Sequence, residues 1–182
     1  MATEDDIRQE MLVTIPHLRA FAISLSGSVE KADDLVQGAL LRGLENLDKF
    51  LPGSNMQAWL LTILRNLFHT QYRKRKREVE DPDGVMAGKL AVMPEQGSHL
   101  DFKDMQSALA KISLEQREAL LLVAAEGVSY EEAAQICDTN VGTIKSRVNR
   151  ARTRLAELLK VGGGEDLGPD RLVKAALFLQ SP

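Results

Sequence analysis

Residues 129–154, SYEEAAQICDTNVGTIKSRVNRARTR, predict a short helix, a tight turn and a second, strongly basic helix. Ser129 followed by Glu132 has the S-x-x-E spacing of a capping box, which begins the first helix. The polar DTN triplet that follows favours a turn, and its Asn140 is placed to cap a new helix from Val141. This layout is typical of a helix-turn-helix, whose second helix reads DNA.

The second helix of this unit has two contrasting faces. Apolar side chains recur at steps of four, three, four and three and predict its buried face: Ile144, Val148, Ala151, Leu155 and Leu158. Side chains that can meet base edges and phosphates lie opposite that face or flank it: Gly142, Thr143, Lys145, Ser146, Asn149, Arg150 and Thr153. Arg147, Arg152 and Arg154 add positive charge that suits the phosphate backbone. A solvated basic helix inside a bundle is the alternative interpretation.

The net charge of the chain hides this local field, because acidic and basic residues lie in different segments. Of 182 residues, 23 are Lys or Arg and 26 are Asp or Glu, so the net charge is only -3. Residues 65–77 are basic and contain no acid, whereas residues 78–104 are mainly acidic. The pattern indicates basic modules joined by an acidic segment.

Composition also indicates a compartment. The single cysteine, Cys137, excludes an internal disulfide, suits a reducing cytosol and is expected to be a small core residue. The acidic residues Glu4, Asp5 and Asp6 stand where a signal peptide would be basic, and no apolar run reaches the ~18 residues that span a bilayer. We therefore expect a cytoplasmic protein that does not insert into a membrane.

The chain reads as two small helical domains, since no segment alternates with the period of a strand for long enough to form one. Residues 1–77 are the first domain and residues 100–161 the second. Between them, residues 78–99 are rich in Pro, Gly and turn-forming residues and are expected to be a flexible linker. Residues 162–182 follow a helix-breaking glycine run and are expected to be a flexible tail. The predicted fold class is all-α.

The first domain should open with a helical hairpin over residues 3–47. Gly27 separates its two helices, and Pro16 is expected to kink the first helix or divide it into two pieces. Ser54 and Gln57 have the spacing of another capping box, which predicts the start of a long third helix. In the second domain, a capping box at Ser113 and Gln116 precedes an apolar helix that should stop at Gly127.

The long third helix, residues 55–77, carries a second candidate surface for nucleic acid. Amide, aromatic and basic side chains lie along it: Asn66, His69, Tyr72, Arg73, Lys74, Arg75, Lys76 and Arg77. Charge can track a single-stranded backbone while rings and amides engage exposed bases. The alternative is that Phe68 belongs to the core and the basic run is only a solvated helix end. Trp59 lies on the apolar side and is expected to be core.

These segments resemble a known family, and they occur in its order. VGTIKSRVNRARTRL is similar to the helix that reads the upstream promoter element in extracytoplasmic-function sigma factors, the small bacterial initiation factors. ADDLVQGALLRGLENLDKF resembles their helix that docks on the clamp of RNA polymerase, and MQAWLLTILRNLFHTQYRKRKR resembles the helix that melts and reads the downstream element. The resemblance covers Ile7 to Lys160 in two blocks and implies a factor that directs core RNA polymerase to promoter DNA.

The resemblance also implies roles for particular residues. Polymerase would be contacted by Asp33, Asp34, Leu35, Val36 and Gln37. A flipped base would be engaged by Asn66 and by the loop from Leu51 to Met56, which includes Asn55. The upstream element would be contacted by Thr143, Lys145, Ser146, Arg147, Asn149, Arg150 and Arg154. The sequence departs from the family at Gly38, where members commonly carry an acid.

Three phrases, REVEDPDG, LAVMPEQGSHLDF and QREALLLVAAEGVSYEEAAQIC, especially resemble the EcfG-type general-stress sigma factors. In that subfamily a small anti-sigma protein of the NepR type sequesters the factor, and a response regulator with a sigma-like domain competes for the inhibitor. The resemblance therefore implies a NepR-type partner that binds across both domains. Its candidate docking faces lie near Leu40 and Leu44 and near Leu120 to Val123, although the latter segment fits ordinary core better.

Three other classes of protein compete with this interpretation. A sigma-like mimic that binds an anti-sigma protein without DNA would share the fold, but it should lack the basic reading face and carry a receiver domain. A dimeric repressor would leave the clamp-like helix and the second basic surface unexplained. An enzyme finds little support, because His17, His69 and His99 are scattered and the chain has no Gly-rich phosphate loop or H-E-x-x-H motif. We predict no catalytic residue, metal, cofactor or small-molecule substrate.

Overall fold

The computed structural model describes residues 4–79 and 99–159, and every regular element in those two ranges is helical. The α-helices are α1 Glu4–Ser26, α2 Val29–Glu45, α3 Met56–Val79, α4 His99–Ala110, α5 Leu114–Leu120, α6 Tyr130–Ile136 and α7 Val141–Leu159. A short 3-10 helix, Leu47–Lys49, follows α2, and a π-helical segment, Leu121–Ala125, continues α5. The predicted all-α class is confirmed. The expected linker and tail lie almost wholly outside the described residues.

Helices α1 and α2 form the predicted hairpin. Gly27 ends α1 with a φ of 68°, a left-handed conformation that favours glycine, and its N–H donates to the carbonyl of Ile23 at 2.8 Å. Ser28 then caps α2 by accepting from the N–H of Lys31. The expected division of α1 at Pro16 is not found, because α1 runs unbroken through that residue.

The start of α3 differs from the prediction. Asn55, not Ser54, caps the helix, since its side-chain oxygen accepts from the N–H of Ala58 at 3.1 Å. The hydroxyl of Ser54 instead donates to the carbonyl of Leu51 at 2.7 Å. Gln57 does not reach back to the helix start and points to the second domain. The expected capping box of Ser54 and Gln57 is therefore wrong.

Helices α1, α2 and α3 pack around a shared apolar core, and α2 crosses the others closely at Gly43. A Cβ placed there would lie 2.9 Å from a methyl carbon of Leu60 and 3.1 Å from Cε of Met11. Trp59 packs against this core, with its ring centroid 5.2 Å from that of Phe50, as predicted.

The second domain folds around α7, which packs against α4, α5 and α6. Gly127 ends the apolar segment with a φ of 67°, as predicted. The capping box of Ser129 and Glu132 is complete: the Glu132 N–H donates to the Ser129 hydroxyl at 3.1 Å, and the Ser129 N–H donates to the Glu132 carboxylate at 2.8 Å. Ser113 caps α5 by accepting from the N–H of Gln116.

The two domains lie against each other in the described part of the chain. Helix α3 contacts α6, and α1 contacts α5 and the π-helical segment. Buried apolar residues of both domains belong to one continuous cluster. Within residues 4–79 and 99–159, no helix is both long enough and apolar enough to cross a membrane.

Candidate DNA-binding and polymerase-binding surfaces

The predicted reading face of α7 is exposed, and its opposite face is core. Ile144, Val148, Ala151 and Leu155 are essentially inaccessible to solvent. The solvent side carries these exposed residues: Gly142, Lys145, Ser146, Asn149, Arg150, Thr153 and Arg154. The cap at Asn140, whose side chain accepts from the N–H of Thr143 at 2.8 Å, fixes the first turn that precedes this face. The arrangement presents a polar helix face of the kind that reads the major groove.

Several cations of this face are held by neighbours. Lys145 Nζ lies 5.8 Å from the centroid of the Tyr130 ring on α6, which ties the two helices of the unit together. Arg154 forms an exposed ion pair with Glu157 at 2.8 Å. Arg147 is half-buried, whereas Arg150 is exposed beside Asn149. Arg150 and Asn149 therefore have the freest geometry for a base edge.

The exposed surface of α3 occupies its second half. Asn66 and Tyr72 are exposed, as are the basic residues Arg73, Lys74, Arg75, Lys76 and Arg77. The Phe68 ring packs against the core and stacks on Tyr72, with centroids 6.0 Å apart and planes inclined by 24°. Phe68 thus belongs partly to the core and supports the exposed Tyr72 ring, and the binding of nucleic acid by this surface stays a prediction.

Two residues that were predicted to contact DNA, His69 of α3 and its cap residue Asn55, are engaged by the second domain instead. His69 Nε2 is hydrogen-bonded to the carboxylate of Glu118 on α5. The side chain of Asn55 donates to that of Glu132 on α6 at 2.7 Å. In this arrangement each side chain already has a hydrogen-bond partner in the second domain.

The predicted polymerase-binding segment divides between surface and core. Asp33, Asp34 and Gln37 are exposed on α2. Asp33 also accepts from Arg19 of α1 at 2.7 Å. Leu35 and Val36 are only 1% and 6% exposed, because the helical period turns them toward α1 and α3. Leu35 and Val36 are therefore core residues, and the polymerase contact of this segment stays a prediction in which only Asp33, Asp34 and Gln37 are open to solvent.

The sequence interpretation missed a buried charge cluster between the domains. Glu118 of α5 is wholly buried, and its carboxylate accepts from Arg65 Nε at 3.1 Å and contacts His69. The Arg65 guanidinium also donates to the carbonyl of Ile136 at 3.3 Å, at the end of α6. The buried carboxylate of Glu118 thus has hydrogen-bond partners in two side chains of α3, and the Arg65 guanidinium balances its charge.

A second acid, Glu126, makes a parallel set of contacts after the π-helical segment. Its carboxylate lies 3.2 Å from His17 Nδ1 of α1 and accepts from Gln57 of α3 at 3.1 Å. Burial raises the pKa of Glu126, while the hydrogen bond to Glu126 raises the pKa of His17. Nearby, the guanidinium of Arg117 donates to the carbonyl of Leu25, in the last turn of α1, at 3.1 Å.

A signal for these contacts exists in the sequence, but it is incomplete. Glu118 and Glu126 bracket the apolar run ALLLVAA, where an isolated charge needs a partner. The partners lie 53 and 109 residues away along the chain, for Arg65 and His17 respectively. Only the tertiary packing pairs them.

The other reactive groups belong to the structure of the core. Cys137 is buried as predicted, and burial raises the pKa of its thiol to about 11. No group of three or more His, Cys, Asp or Glu side chains that could hold a metal ion occurs in residues 4–79 and 99–159.

Comparisons with known proteins place both domains in one family. Residues 12–78 match the family model described as Sigma-70 region 2, and residues 102–155 match the model described as Sigma-70, region 4. The chain is 58% identical over 177 residues to the ECF RNA polymerase sigma factor EcfG of Rhodopseudomonas palustris (strain TIE-1). That alignment covers 97% of this chain and 98% of the relative.

Two solved structures are similar along most of the chain. The sigma factor RpoE from Bartonella quintana, solved in complex with the anti-sigma factor NepR, is 54% identical with a TM-score of 0.81. The match covers 87% of this chain and 99% of that one. CnrH, solved in complex with the cytosolic domain of CnrY, is 25% identical with a TM-score of 0.66 and covers 88% of this chain and 92% of its own.

Proposed function

The chain belongs to the extracytoplasmic-function sigma factors of the sigma-70 family, and from that membership we propose the division of labour among its surfaces. Helix α7 reads the upstream promoter element in the major groove. The exposed second half of α3 binds the displaced strand of the downstream element. Asp33, Asp34 and Gln37 of α2 contact core RNA polymerase. The observation that carries this assignment is that all three surfaces are exposed on well-packed helices in the family's order.

The chemistry of each surface supports its role. The basic run of residues 73–77 attracts the phosphate backbone, and Tyr72, stacked on Phe68, offers a ring to an unpaired base. On α7, Asn149 and Arg150 have the donors and acceptors that pair with purine edges. The factor supplies recognition only: we infer that it performs no catalysis, needs no cofactor and acts in the cytoplasm, where the polymerase is.

We also propose that the promoters are those of a stress response and that a NepR-type protein inhibits the factor. The support is the similarity to EcfG and to RpoE, the latter solved with NepR. On α2, Leu41 and Leu44 are 57% and 46% exposed and suit an amphipathic inhibitor helix. The segment Leu120 to Val123 is mainly buried in the core, so we do not propose it as a docking face.

The alternative function is a sigma-like mimic that binds an anti-sigma protein without DNA. The exposed basic faces of α3 and α7 argue against it, since a mimic has no use for them. A transcription assay separates the two. Purified chain and core polymerase are incubated with a library of candidate promoters, and we expect promoter-specific transcripts that core alone does not make.

Matched variants locate the activity. Replacing Asp33 and Asp34 by alanine should weaken co-purification with core polymerase, while replacing the exposed Glu30 of the same helix should not. A chain that neither binds core nor changes its start sites, but still binds a NepR-type protein, would establish the mimic instead.

A further inference from the structure

We propose that Tyr130 of α6 orients Lys145 on the reading face of α7, so that the lysine ammonium is already in position when the helix meets the upstream element. Tyr130 is a positioning residue here, because it acts on DNA binding through the side chain of Lys145. The inference rests on the proposed role of α7 in reading DNA. It adds a residue outside the reading helix to those on which promoter recognition depends.

The Tyr130 ring is a fixed support for its partner. Tyr130 is the first residue of α6, and the complete capping box of Ser129 and Glu132 holds that helix start. The Tyr130 side chain is half-buried and packs against the buried apolar cluster. The Asn140 cap holds the start of α7 in the same way, and Lys145 follows it closely. Both partners of the contact are therefore carried on backbone that local hydrogen bonds define.

The contact restricts a side chain that is otherwise mobile. Lys145 Nζ lies 5.8 Å from the centroid of the Tyr130 ring, within the distance at which a ring face attracts a cation. A lysine has a long, flexible stem, and ordering that stem on binding lowers affinity. In the free protein the attraction of the ring offsets this loss of freedom. The contact thus adds little to the stability of the fold, and its effect appears when DNA binds.

The ring holds this cation without neutralising it. An ammonium group has several N–H donors, and a ring on one side leaves donors for a phosphate or a purine acceptor on the other. Arg154 is a contrast on the same helix, because it pairs with the carboxylate of Glu157 at 2.8 Å, which balances its charge. Lys145 therefore keeps its full attraction for DNA while its position is restricted.

The first test examines the contact in the free full chain. Proton–carbon correlation NMR reports the Hε protons of Lys145, whose signal is identified by its absence from Lys145→Ala. An aromatic ring shields protons that lie over its face. We expect an upfield shift of these protons in the native protein and in Tyr130→Phe, and its loss in Tyr130→Leu. An ordinary lysine shift in the native protein would overturn the inference.

The second test measures the effect on DNA binding. The full chain is assembled with core polymerase and titrated into a labelled duplex, which carries the upstream element of a promoter recovered in the transcription assay and ends before the downstream element. Tyr130→Leu should weaken binding about two- to ten-fold, the range expected when one long side chain must be ordered on binding. Tyr130→Phe keeps the ring and should bind like the native chain. Gln135→Ala, at an exposed neutral position of the same helix, is the matched control and should change nothing.

Combination with Lys145→Ala separates positioning from folding. If Tyr130 acts through Lys145, then Tyr130→Leu should have no further effect on binding once the lysine is absent. Equal losses of affinity from Tyr130→Leu with and without the lysine would mean that the ring only supports the fold, and would overturn the inference. Tighter binding by Tyr130→Leu would overturn it as well, since the ring would then withhold Lys145 from DNA.

Arg150→Ala distinguishes failure of the inference from failure of the proposed function. If Lys145→Ala binds like the native chain while Arg150→Ala binds weakly, then α7 reads DNA without Lys145, and the inference alone is wrong. If the native chain adds no affinity to core polymerase for this duplex and Arg150→Ala changes nothing, then the assignment of α7 to the upstream element is wrong too.

Discussion

Helices α3 and α7 are both basic, both long and both assigned to DNA, yet the structure treats them differently. The polar face of α7 is open along its length, and its start is fixed by neighbours in sequence through the Asn140 cap. Helix α3 is instead engaged by the other domain, since Arg65 and His69 contact Glu118 and the cap residue Asn55 contacts Glu132. Local signals thus determine how α7 is presented, whereas contacts between residues distant in sequence determine how α3 is presented.

The largest expected effect comes from removing a buried side chain that anchors α7. Ile144→Ala removes a wholly buried side chain from its apolar face and should cost about 2–5 kcal/mol of unfolding free energy. Lys145→Ala, on the exposed side, should change stability by less than ~0.5 kcal/mol. Urea denaturation followed by circular dichroism measures both. A small loss for Ile144→Ala would mean that α7 is not anchored as described.

The next effect distinguishes base reading from charge. Arg150→Ala should weaken binding to the upstream element by about 1–3 kcal/mol and relax the preference at one base position. Lys74→Ala, on α3, should instead weaken binding to all sequences and flatten its salt dependence. Competition binding with single-base variants of the promoter measures this. If Arg150→Ala leaves the sequence preference untouched, that residue is only a phosphate contact.

The helix caps give a smaller contrast. Ser129→Ala removes half of a complete capping box and should cost about 1 kcal/mol of stability. Ser54→Ala should cost less, because Ser54 does not cap α3 and bonds only within an exposed loop. Thermal unfolding of both variants measures the difference. Equal losses of stability in the two variants would contradict the observed geometry, in which Ser129 caps a helix and Ser54 does not.

The smallest expected effect is a dependence of the domain contact on pH. The pKa values of His17 and Glu126 are both raised in the contact, so the closed chain holds more protons than an open one in which both groups titrate normally. The stabilisation from His17 is complete below its ordinary value of about 6.5 and is lost as pH rises through its raised value. Because burial raises the pKa of Glu126, loss of its proton as pH rises also disfavours the closed form.

Energy transfer between dyes on the two domains, recorded from about pH 6 to pH 8, should show the closed population falling. The groups that face Glu126 in the contact are His17 and Gln57. His17→Gln, which keeps a polar side chain without a titrating charge, should flatten the curve. A closed population that increases with pH would contradict the conclusion that the closed chain holds more protons than the open one.

Sequence reasoning succeeded where the determining residues are close together. The box of Ser129 and Glu132, the cap at Asn140 and the stop at Gly127 depend on contacts within a few residues, and each was predicted. Ser54 failed because Asn55, one residue on, is an equally good cap and the spacing cannot choose between them. The binding segment of α2 was predicted as one block, although a helix turns Leu35 and Asp34 in different directions.

The domain contact was beyond sequence reasoning for a different reason. A buried acid such as Glu118 indicates that a partner exists, but the chain offers many cations of equal suitability. The choice of Arg65 depends on how α5 meets α3 in space. Patterns of period 3.6 report which face of a helix is buried, and they carry no information about which other face covers it.

The π-helical segment Leu121–Ala125 determines the directions in which Glu118 and Glu126 point toward the first domain. Eight residues separate Glu118 from Glu126, and in a continuous α-helix their side chains would point about 80° apart. A π-bulge accommodates one extra residue within a turn, marked here by the Glu126 N–H donating to the carbonyl of Leu121 at 3.0 Å, so the two acids are brought to within about 20° of one line. Deleting one residue of this segment would rotate Glu126 away from His17 while leaving every side chain in place up to the deletion. The extra residue of the π-bulge thus allows Glu118 and Glu126 to contact α3 and α1 from the same side of one helical segment.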